Sequence, residues 1–221
     1  MSWLDSLDDL ADREKAARHT AFADDLSNVY VPGEGNLDNP LAMIIGEAPG
    51  AQEEIKQRPF VGPAGQVLRD LMAAAELFTG TTPHFGDANC WLTNVVKFRP
   101  PGNRTPTLGE IRVFRTYLHT EWTLIGKPSV IIPVGGTALY AVLGKKVSIL
   151  KTAGRPHKVH SRRSKQDFYV WPMIHPAFGL RNKAVQPLME RDWGKLGEWL
   201  LTEMTSPIGV LHGDAPEWTL R

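Results

Sequence analysis

The residues of this chain with the clearest chemical potential are a carboxylate, Glu47, and an aromatic ring, Phe60, at the two ends of one short segment. Glu47 follows the apolar run 42–45, which predicts a fully buried strand, and lies in the sharp turn GEAPG at 46–50. Ligands of open α/β sheets bind at the carboxyl ends of the strands. We therefore expect the carboxylate, the ring and a following helix N-terminus to converge on one pocket. The alternative is an ordinary βα turn with a solvated glutamate and a core phenylalanine. The ring is flanked by Pro59, Gly62, Pro63 and Gly65.

Two further polar side chains end apolar runs later in the chain. Asn94 ends one run and precedes a basic, Pro/Gly-rich loop, and His175, followed by Pro176, ends another. Between them, the apolar run 130–134 leads into a Gly-Gly turn and a short helix. An amide both donates and accepts hydrogen bonds, so it can read the polar edge of a heterocycle. An imidazole can donate to an oxygen on which negative charge develops.

The elements that must position these residues alternate between strand and helix. Apolar spacing predicts helices over about 63–76, 107–124, 137–143 and 186–204. Thr107 and Glu110 have the spacing of a capping box, and Ser2 can cap an amphipathic N-terminal helix. This alternation predicts an α/β fold, a three-layer α/β/α sandwich around a central four-stranded parallel sheet. We expect one domain over 1–221, with an acidic N-terminal helix in 1–26 and a surface-wrapping tail at 205–221.

The composition is that of an ordinary globular protein. Its 221 residues are 42% hydrophobic and 22% charged, with no apolar run long enough to cross a membrane. The first fifteen residues are acidic and lack the basic start and apolar centre of a signal peptide, so none is expected. We expect a cytoplasmic protein without a membrane association. The single cysteine, Cys90, excludes a disulfide framework within the chain and is expected to be a small buried hydrophobe. No GxxxxGK phosphate loop is present, which disfavours an NTP-driven enzyme.

The charges are unevenly distributed, although the formal net charge is only +1. Residues 1–26 hold seven acidic side chains against three basic ones, whereas residues 151–166 hold six basic and no acidic side chains. Lys97, Arg99 and Arg104 form a second basic cluster after Asn94. A basic surround of the expected pocket suits contacts with phosphate, which give affinity without sequence preference. For residues 158–167, a solvated charged loop is the alternative.

Five separated motifs, in order, resemble the uracil-DNA glycosylase superfamily, and its family 4 most closely. They are the GEAPG turn with Glu53 three residues on, PFVGPAG, TNVVK, RPPGNR and HPAFGLR. The resemblance covers about residues 30–200. No single motif is decisive, but the ordered set is specific.

The resemblance implies a DNA glycosylase that flips a pyrimidine, uracil first of all, out of DNA and hydrolyses its N-glycosidic bond. It implies an abasic product, a role in base-excision repair and a monomer; we expect no cofactor, because the chain lacks the family's cluster cysteines. Glu47 would activate water and His175 would donate to the departing base. Residues implied to surround the base are Gly46, Ala48, Glu53, Phe60 and Asn94; residues implied to contact DNA are Gly62, Gly65, Lys97, Asn103, Arg104, Leu180 and Arg181.

Two of these assignments have ordinary structural alternatives. Glu53 can instead complement the dipole of a first helical turn, and Leu180 can be a core residue at a helix start. The segment RPPGNRTPT also lacks the nucleophilic histidine of a related branch that traps uracil covalently. Irreversible trapping is therefore not expected.

This chain departs from family 4 in the cysteines that hold a four-iron cluster. Phe98 and Phe114 stand at two of the ligand positions, and the N-terminal pair is absent. We expect an apolar plug in place of the cluster, and no metal. Gln57 and Gly179 also replace family residues, and these changes could widen the entrance for a larger base.

Two other functions therefore stay open. One is a glycosylase that removes hydroxymethylated or glucosylated cytosine from phage DNA as antiviral defence. The other is a DNA- or uracil-binding protein without turnover.

Overall fold

The fold is one mixed sheet with helices on both faces. The computed structural model describes residues 3–20, 23–38, 40–75, 77, 89–126, 128–161, 166–205 and 217–220. The strands are β1 Glu34–Gly35, β2 Ala42–Gly46, β3 Cys90–Asn94, β4 Val130–Pro133, β5 His157–Ser161, β6 Gln166–Val170 and β7 Glu217–Leu220. The helices are α1 Trp3–Ala17, α2 Ala51–Lys56, α3 Pro63–Ala74, α4 Leu108–Leu124, α5 Gly136–Leu143, α6 Ile149–Thr152, α7 Pro176–Arg181 and α8 Gln186–Thr205. The α/β prediction is confirmed.

The strand order across the sheet is β1-β3-β2-β4-β6-β5-β7. β3, β2, β4 and β6 pair in parallel, so their carboxyl ends share one edge of the sheet. β1 adds antiparallel to β3, and β5 adds antiparallel to β6. The sheet in the described residues is thus wider than the four strands predicted from the apolar runs.

The C-terminal segment contributes a strand of its own. β7 pairs in parallel with β5, and Trp218 stacks on His157 with ring centroids 3.9 Å apart. The sequence predicted a surface-wrapping tail at 205–221 and did not predict the strand at 217–220. Residues 206–216 lie outside the described part of the chain. The strand escaped prediction because a four-residue edge strand carries little periodicity.

β2 shows why the sheet is covered on both faces, because all five of its residues are buried. Ala42 and Ile44 pack with the apolar faces of α3 and α8, while Met43 and Ile45 pack with α4 and α5. Successive side chains of a strand point to opposite faces, so a run without polar residues requires two covering layers.

The start of α4 was predicted correctly because a local sequence signal sets it. The Thr107 hydroxyl accepts from the Glu110 amide at 3.2 Å, and the Glu110 carboxylate accepts from the Thr107 amide at 2.5 Å. The predicted capping box at the start of α4 is confirmed. None of the helices in the described ranges combines the length and the apolar character that crossing a membrane requires.

A buried polar cluster ties α4 to the back of β3. Lys97 is 1% exposed, and its Nζ lies 2.6 Å from Oε2 of Glu121 on α4. The Glu121 carboxylate also accepts from Trp91 Nε1 and Thr93 Oγ1, each at 3.0 Å. Lys97 Nζ donates in addition to Thr93 Oγ1. Thr93 immediately precedes Asn94, so this cluster fixes the strand end on which Asn94 stands.

The prediction that Lys97 contacts DNA is therefore wrong. A phosphate cannot reach an ammonium group that is excluded from solvent and already paired with a carboxylate. The sequence suggested a DNA contact because Lys97 lies in a basic, loop-like stretch. Its partner, Glu121, lies 24 residues further along the chain, so no local pattern indicates the pair.

α1 closes this cluster from the other side through Glu14. Glu14 is fully buried, and its Oε2 accepts from the Tyr30 hydroxyl at 2.7 Å, while its Oε1 has no hydrogen-bond partner among the described residues. Burial raises the pKa of Glu14 to about 7; the charge of Glu121 also raises it, whereas Lys97 and the Tyr30 hydrogen bond lower it.

Replacing Glu14 with Gln should therefore stabilise the protein at alkaline pH. The pKa of Glu14 is higher in the folded state than its ordinary value of 4.5. The protonated carboxyl group therefore stabilises the fold fully below pH 4.5, and this stabilisation is lost as pH rises through about 7. We expect Glu14→Gln to raise the free energy of unfolding at pH 8 by roughly 1–3 kcal/mol, with a smaller effect at pH 5. Urea unfolding at both pH values measures this.

The matched control is Glu190→Gln, which removes an exposed carboxylate from α8. It should change stability little at either pH. A Glu14→Gln protein that is less stable than the wild type at pH 8 would contradict the argument.

Candidate active site

The candidate site residues follow the four parallel strands at their shared edge. Glu47 follows β2, Asn94 ends β3, Gly135 follows β4, and His175 comes five residues after β6. The turn after β2 is held to the segment after β3, because Val95 N donates to Gly46 O at 3.0 Å and Val96 N to Glu47 O at 3.2 Å. The shared edge therefore brings together residues that are up to 128 positions apart in the sequence.

Asn94 and Phe60 meet over the backbone of Gly46. A methyl group at position 46 would lie 2.3 Å from Asn94 Oδ1 and 2.6 Å from Phe60 Cζ. Both side chains are largely buried, with Asn94 4% and Phe60 6% exposed. An amide and an aromatic ring therefore face each other across a position where only glycine leaves room. Ala48, two residues on, packs against the core on the α4 side of the sheet.

The Phe60 ring is positioned by the start of α3. Phe60 has a φ of 54°, a left-handed conformation that is unusual for an aromatic residue. Gly65 permits it, because a methyl group there would lie 1.8 Å from the Phe60 carbonyl oxygen. Arg69 Nη1 donates to the same oxygen at 3.0 Å. Gly62 is the N-cap residue of α3, so the two glycines implied to contact DNA also serve the packing of this turn.

Glu53 holds the two ends of the segment that separates Glu47 from Phe60. Its Oε1 accepts from Gly62 N at 2.7 Å, and its Oε2 accepts from Gly50 N at 3.2 Å. Both carboxylate oxygens thus accept from the backbone amides of the N-cap residues of α2 and α3. This arrangement is the dipole and capping role that the sequence left as an alternative.

The Glu47 carboxylate has a different environment from that of Glu53. Its side chain is half-buried and makes no hydrogen bond with any of the described residues. A carboxylate of this kind at the strand edge is available to a water molecule or to a developing positive charge.

His175 is held in one tautomer as the N-cap residue of α7. Its Nδ1 accepts from Ala177 N at 3.1 Å, so the ring proton of the neutral form lies on Nε2. Burial, reinforced by the charge of Arg181, lowers the pKa of His175 to about 4. The ring is therefore a neutral Nε2–H donor near pH 7.

The Gly-Gly turn after β4 supports His175 from the side. Gly135 has a φ of 97°, and a methyl group there would lie 3.2 Å from His175 Cβ. The sequence singled out the turn, but not Gly135 as a support for His175. The Gly-Gly pair after a buried strand is the signal that could have found it.

The basic loop after Asn94 is neutralised internally. Arg104 pairs with Asp25 at 2.8 Å and with Glu110 at 2.6 Å, and both carboxylates raise its pKa. Asn103 Oδ1 accepts from Arg99 Nε at 2.7 Å. A phosphate at Arg104 would have to compete with two carboxylates, so Arg104 is a weaker candidate for DNA contact than the sequence indicated.

α7 presents apolar and basic side chains to solvent. Leu180 is 44% exposed, Phe178 is 39% exposed, and Arg181 is exposed at the helix end. The alternative that Leu180 is a core residue is wrong. Phe178 was not predicted as a site residue, and nothing in its spacing distinguishes it from a core phenylalanine.

The two substitutions expected to affect the entrance have local explanations. Gly179 is buried against α8, where a methyl group would lie 2.8 Å from Met189 Sδ. Gln57 has a φ of 50° and ends α2 as its C-cap. Neither residue supports a wider entrance.

Comparison with known proteins matches this architecture to one family. The sequence profile of the Uracil DNA glycosylase superfamily matches residues 32–197. The chain belongs to this superfamily, and the resemblance is confirmed.

Within the superfamily, the chain is similar to type-4 uracil-DNA glycosylases. It is 40% identical to that of Thermotoga maritima over 72% of this chain and 74% of the relative. It is 31% identical to that of Saccharolobus solfataricus over 95% of this chain and 94% of the relative. The protein of Archaeoglobus fulgidus is also 31% identical, over 88% of this chain and 94% of the relative.

The residues of this chain do not fit the iron–sulfur cluster that the family resemblance implies. Phe98 and Phe114, at two of the ligand positions, are buried, with ring centroids 5.7 Å apart, and Tyr30 packs on Phe98 at 5.6 Å. The single cysteine, Cys90, is buried in β3, where burial raises the pKa of its thiol. No group of three His, Cys, Asp or Glu within the described ranges is arranged to hold a metal ion.

Gly65→Ala should displace Phe60 and destabilise the protein. The added methyl group would overlap a backbone carbonyl, which cannot swing away as a side chain could, and overpacking of this kind costs about 1–3 kcal/mol. The control is Gly194→Ala in α8, where a methyl group meets nothing within 4 Å. The control should stabilise the helix by roughly 0.5–1 kcal/mol. Urea unfolding compares the two variants, and equal stabilities would contradict this packing.

The state of His175 can be read directly by long-range ¹H–¹⁵N correlation spectroscopy. We expect a neutral ring protonated at Nε2 at pH 7 and titration near the value of about 4 that burial imposes. A midpoint near the ordinary 6.5, or a proton on Nδ1, would show that the ring is not held as described.

Proposed function

We propose that this protein is a monofunctional DNA glycosylase that removes uracil from DNA and leaves an abasic site, in base-excision repair. It would act as a cytoplasmic monomer with DNA as its partner and without a metal. The observation that supports the proposal most is the gathering at one sheet edge of an amide, an aromatic ring, a neutral histidine and a carboxylate that no described residue pairs with. Membership of the superfamily and the names of the type-4 relatives support the same activity.

Hydrolysis of an N-glycosidic bond separates charge in two directions. As the bond from C1′ to the base nitrogen breaks, the sugar gains positive charge and the base keeps the electron pair. Glu47 would stabilise the sugar cation and orient the water whose oxygen bonds to C1′. His175 would donate its Nε2–H to the carbonyl oxygen of the leaving base, as donors in an oxyanion hole do. The water proton is then released, and the base leaves as an anion that water can protonate.

Recognition of the base would fall to Asn94 and Phe60. An amide can pair with both the donor and the acceptor on the edge of uracil, and stacking on the Phe60 ring would contribute about 1–3 kcal/mol. Because Gly46 lies directly between them, the base would approach the backbone closely. Glu53 would support this pocket by holding its loop rather than by touching the base.

Extraction of the base from a duplex costs a few kcal/mol, and the exposed α7 is the element suited to offset it. Leu180 would fill the space that the base leaves, and Arg181 would contact a neighbouring phosphate. Uracil is favoured over a larger modified cytosine because Gly179 and Gln57, the two substitutions that could have widened the entrance, are explained by local packing. A binding protein without turnover would have no need of an unpaired carboxylate at Glu47.

The test is excision from a labelled oligonucleotide with one uracil, followed by alkali to cleave at abasic sites. The wild type should cut at the uracil, and Glu47→Gln should lower the rate by on the order of a hundredfold or more. Glu198→Gln, which removes an exposed carboxylate of α8, should leave the rate unchanged. Parallel substrates carry hydroxymethylated or glucosylated cytosine.

No cleavage by a folded wild type would refute the proposal. Cleavage confined to a modified cytosine would identify the defence activity instead. Tight binding to uracil-containing DNA without cleavage would identify a binding protein.

A further inference from the structure

The middle of the chain has an extreme charge distribution. Residues 122–166 contain nine Lys or Arg and no Asp or Glu. The remainder of the chain carries all 24 acidic residues and only sixteen of the 25 basic ones. A near-neutral protein thus concentrates its positive charge in one segment, which would create a local positive potential.

Part of this segment lies beside the candidate active site. Gly154 N donates to Pro172 O at 3.0 Å, and Pro172 comes three residues before His175. The loop between α6 and β5 therefore lies next to the segment that carries His175. In the strand order it is on the side of β6 that faces away from β2 and Glu47.

Four cations of this region face solvent without an acidic partner among the described residues. They are Lys145, Lys146, Lys151 and Arg155, which we call the α6 basic surface. Arg155 Nη2 donates to the Lys151 carbonyl at 3.0 Å, which leaves the rest of the guanidinium facing solvent.

The neighbouring hairpin differs, because Asp167 on β6 lies 3.0 Å from Lys158 Nζ and 2.8 Å from His160 Nδ1. The positive potential of the hairpin is therefore partly cancelled. The described carboxylate next to the α6 basic surface is Asp192, which lies against Gly154 and is already paired with Arg191 at 2.8 Å. Four of the nine basic residues of 122–166 lie outside the described residues: Lys127, Arg162, Arg163 and Lys165.

We propose that the α6 basic surface binds the phosphodiester backbone of the substrate DNA, beyond β6 on the side away from Glu47. The inference rests on the proposed function, which brings DNA to this edge of the sheet. Exposed cations that are not paired with a described carboxylate suit phosphates, whose contacts position a protein without reading sequence. A membrane surface fits less well, because α6 has only four residues and cannot lay an apolar face into a bilayer.

The experiment compares Lys151→Gln/Arg155→Gln with the wild type in binding to a labelled, uracil-free duplex of about three helical turns. Anisotropy is measured over a series of KCl concentrations. Each lost phosphate contact should reduce the slope of log K against log salt by about 0.9, so the double variant should lose about 1.8. Lys151→Arg/Arg155→Lys should retain the slope.

The matched control is Arg13→Gln/Lys195→Gln, which removes two exposed charges from α1 and α8. It should leave the slope unchanged. Excision from a trinucleotide that contains uracil should be equal in all of these proteins, because a trinucleotide is too short to reach the surface.

An unchanged slope in Lys151→Gln/Arg155→Gln would overturn the proposal. An equal fall in the control would also overturn it, since net charge rather than location would then be responsible. Loss of trinucleotide excision by the double variant alone would show that the substitutions disturb the pocket, which again overturns it. If the wild type excises no uracil but the slope of Lys151→Gln/Arg155→Gln falls as expected, the α6 basic surface binds DNA as proposed and only the proposed function is refuted.

Discussion

The buried ion pair between Lys97 and Glu121 is the interaction on which the arrangement of the site most depends. An ammonium group removed from water must be compensated where it lies, and loss of one partner from such a pair costs about 3–5 kcal/mol. Glu121 compensates it and also accepts from Trp91 and Thr93. The pair therefore locks α4 to β3 next to Asn94. α1 encloses the same cluster through Glu14, which links the N-terminal helix to the geometry of a strand end.

At the carboxyl edge of the parallel strands, the site residues are positioned by close contacts with the backbone rather than by ion pairs. Gly46 allows Asn94 and Phe60 to meet, and Gly135 allows His175 to lie against the turn after β4. Glu53 joins the two ends of the segment from Glu47 to Phe60 through two backbone amides. The candidate catalytic and base-reading groups thus come from separate segments whose positions are set by the main chain. This arrangement leaves Glu47 and the Nε2–H of His175 without competing partners among the described residues.

The chain departs from the type-4 pattern in the side chains that occupy one region of the fold. Phe98 and Phe114 stand where the family resemblance assigns two cysteine ligands, and their rings pack together with that of Tyr30. These rings adjoin the chain segments that carry the Lys97–Glu121 pair, so apolar packing and a buried ion pair hold α1 and α4 here. Asn94, Phe60, Glu47 and His175 are themselves retained at the sheet edge.

The sequence by itself determined the α/β class, the ends of β2 and β3 and the start of α4. These features depend on signals within a few residues, such as the apolar run before Glu47 and the capping box of Thr107 and Glu110. The resemblance to the superfamily was also in the sequence, as an ordered set of five motifs, whereas β6 ends at Val170, five residues before the predicted strand end at His175. Only the tertiary structure decided the roles of charged residues and the width of the sheet. Lys97 is buried because its partner arrives from α4, and residues 217–220 form a strand because β5 offers an edge. Charge compensation and edge pairing join distant segments, so no local pattern records them.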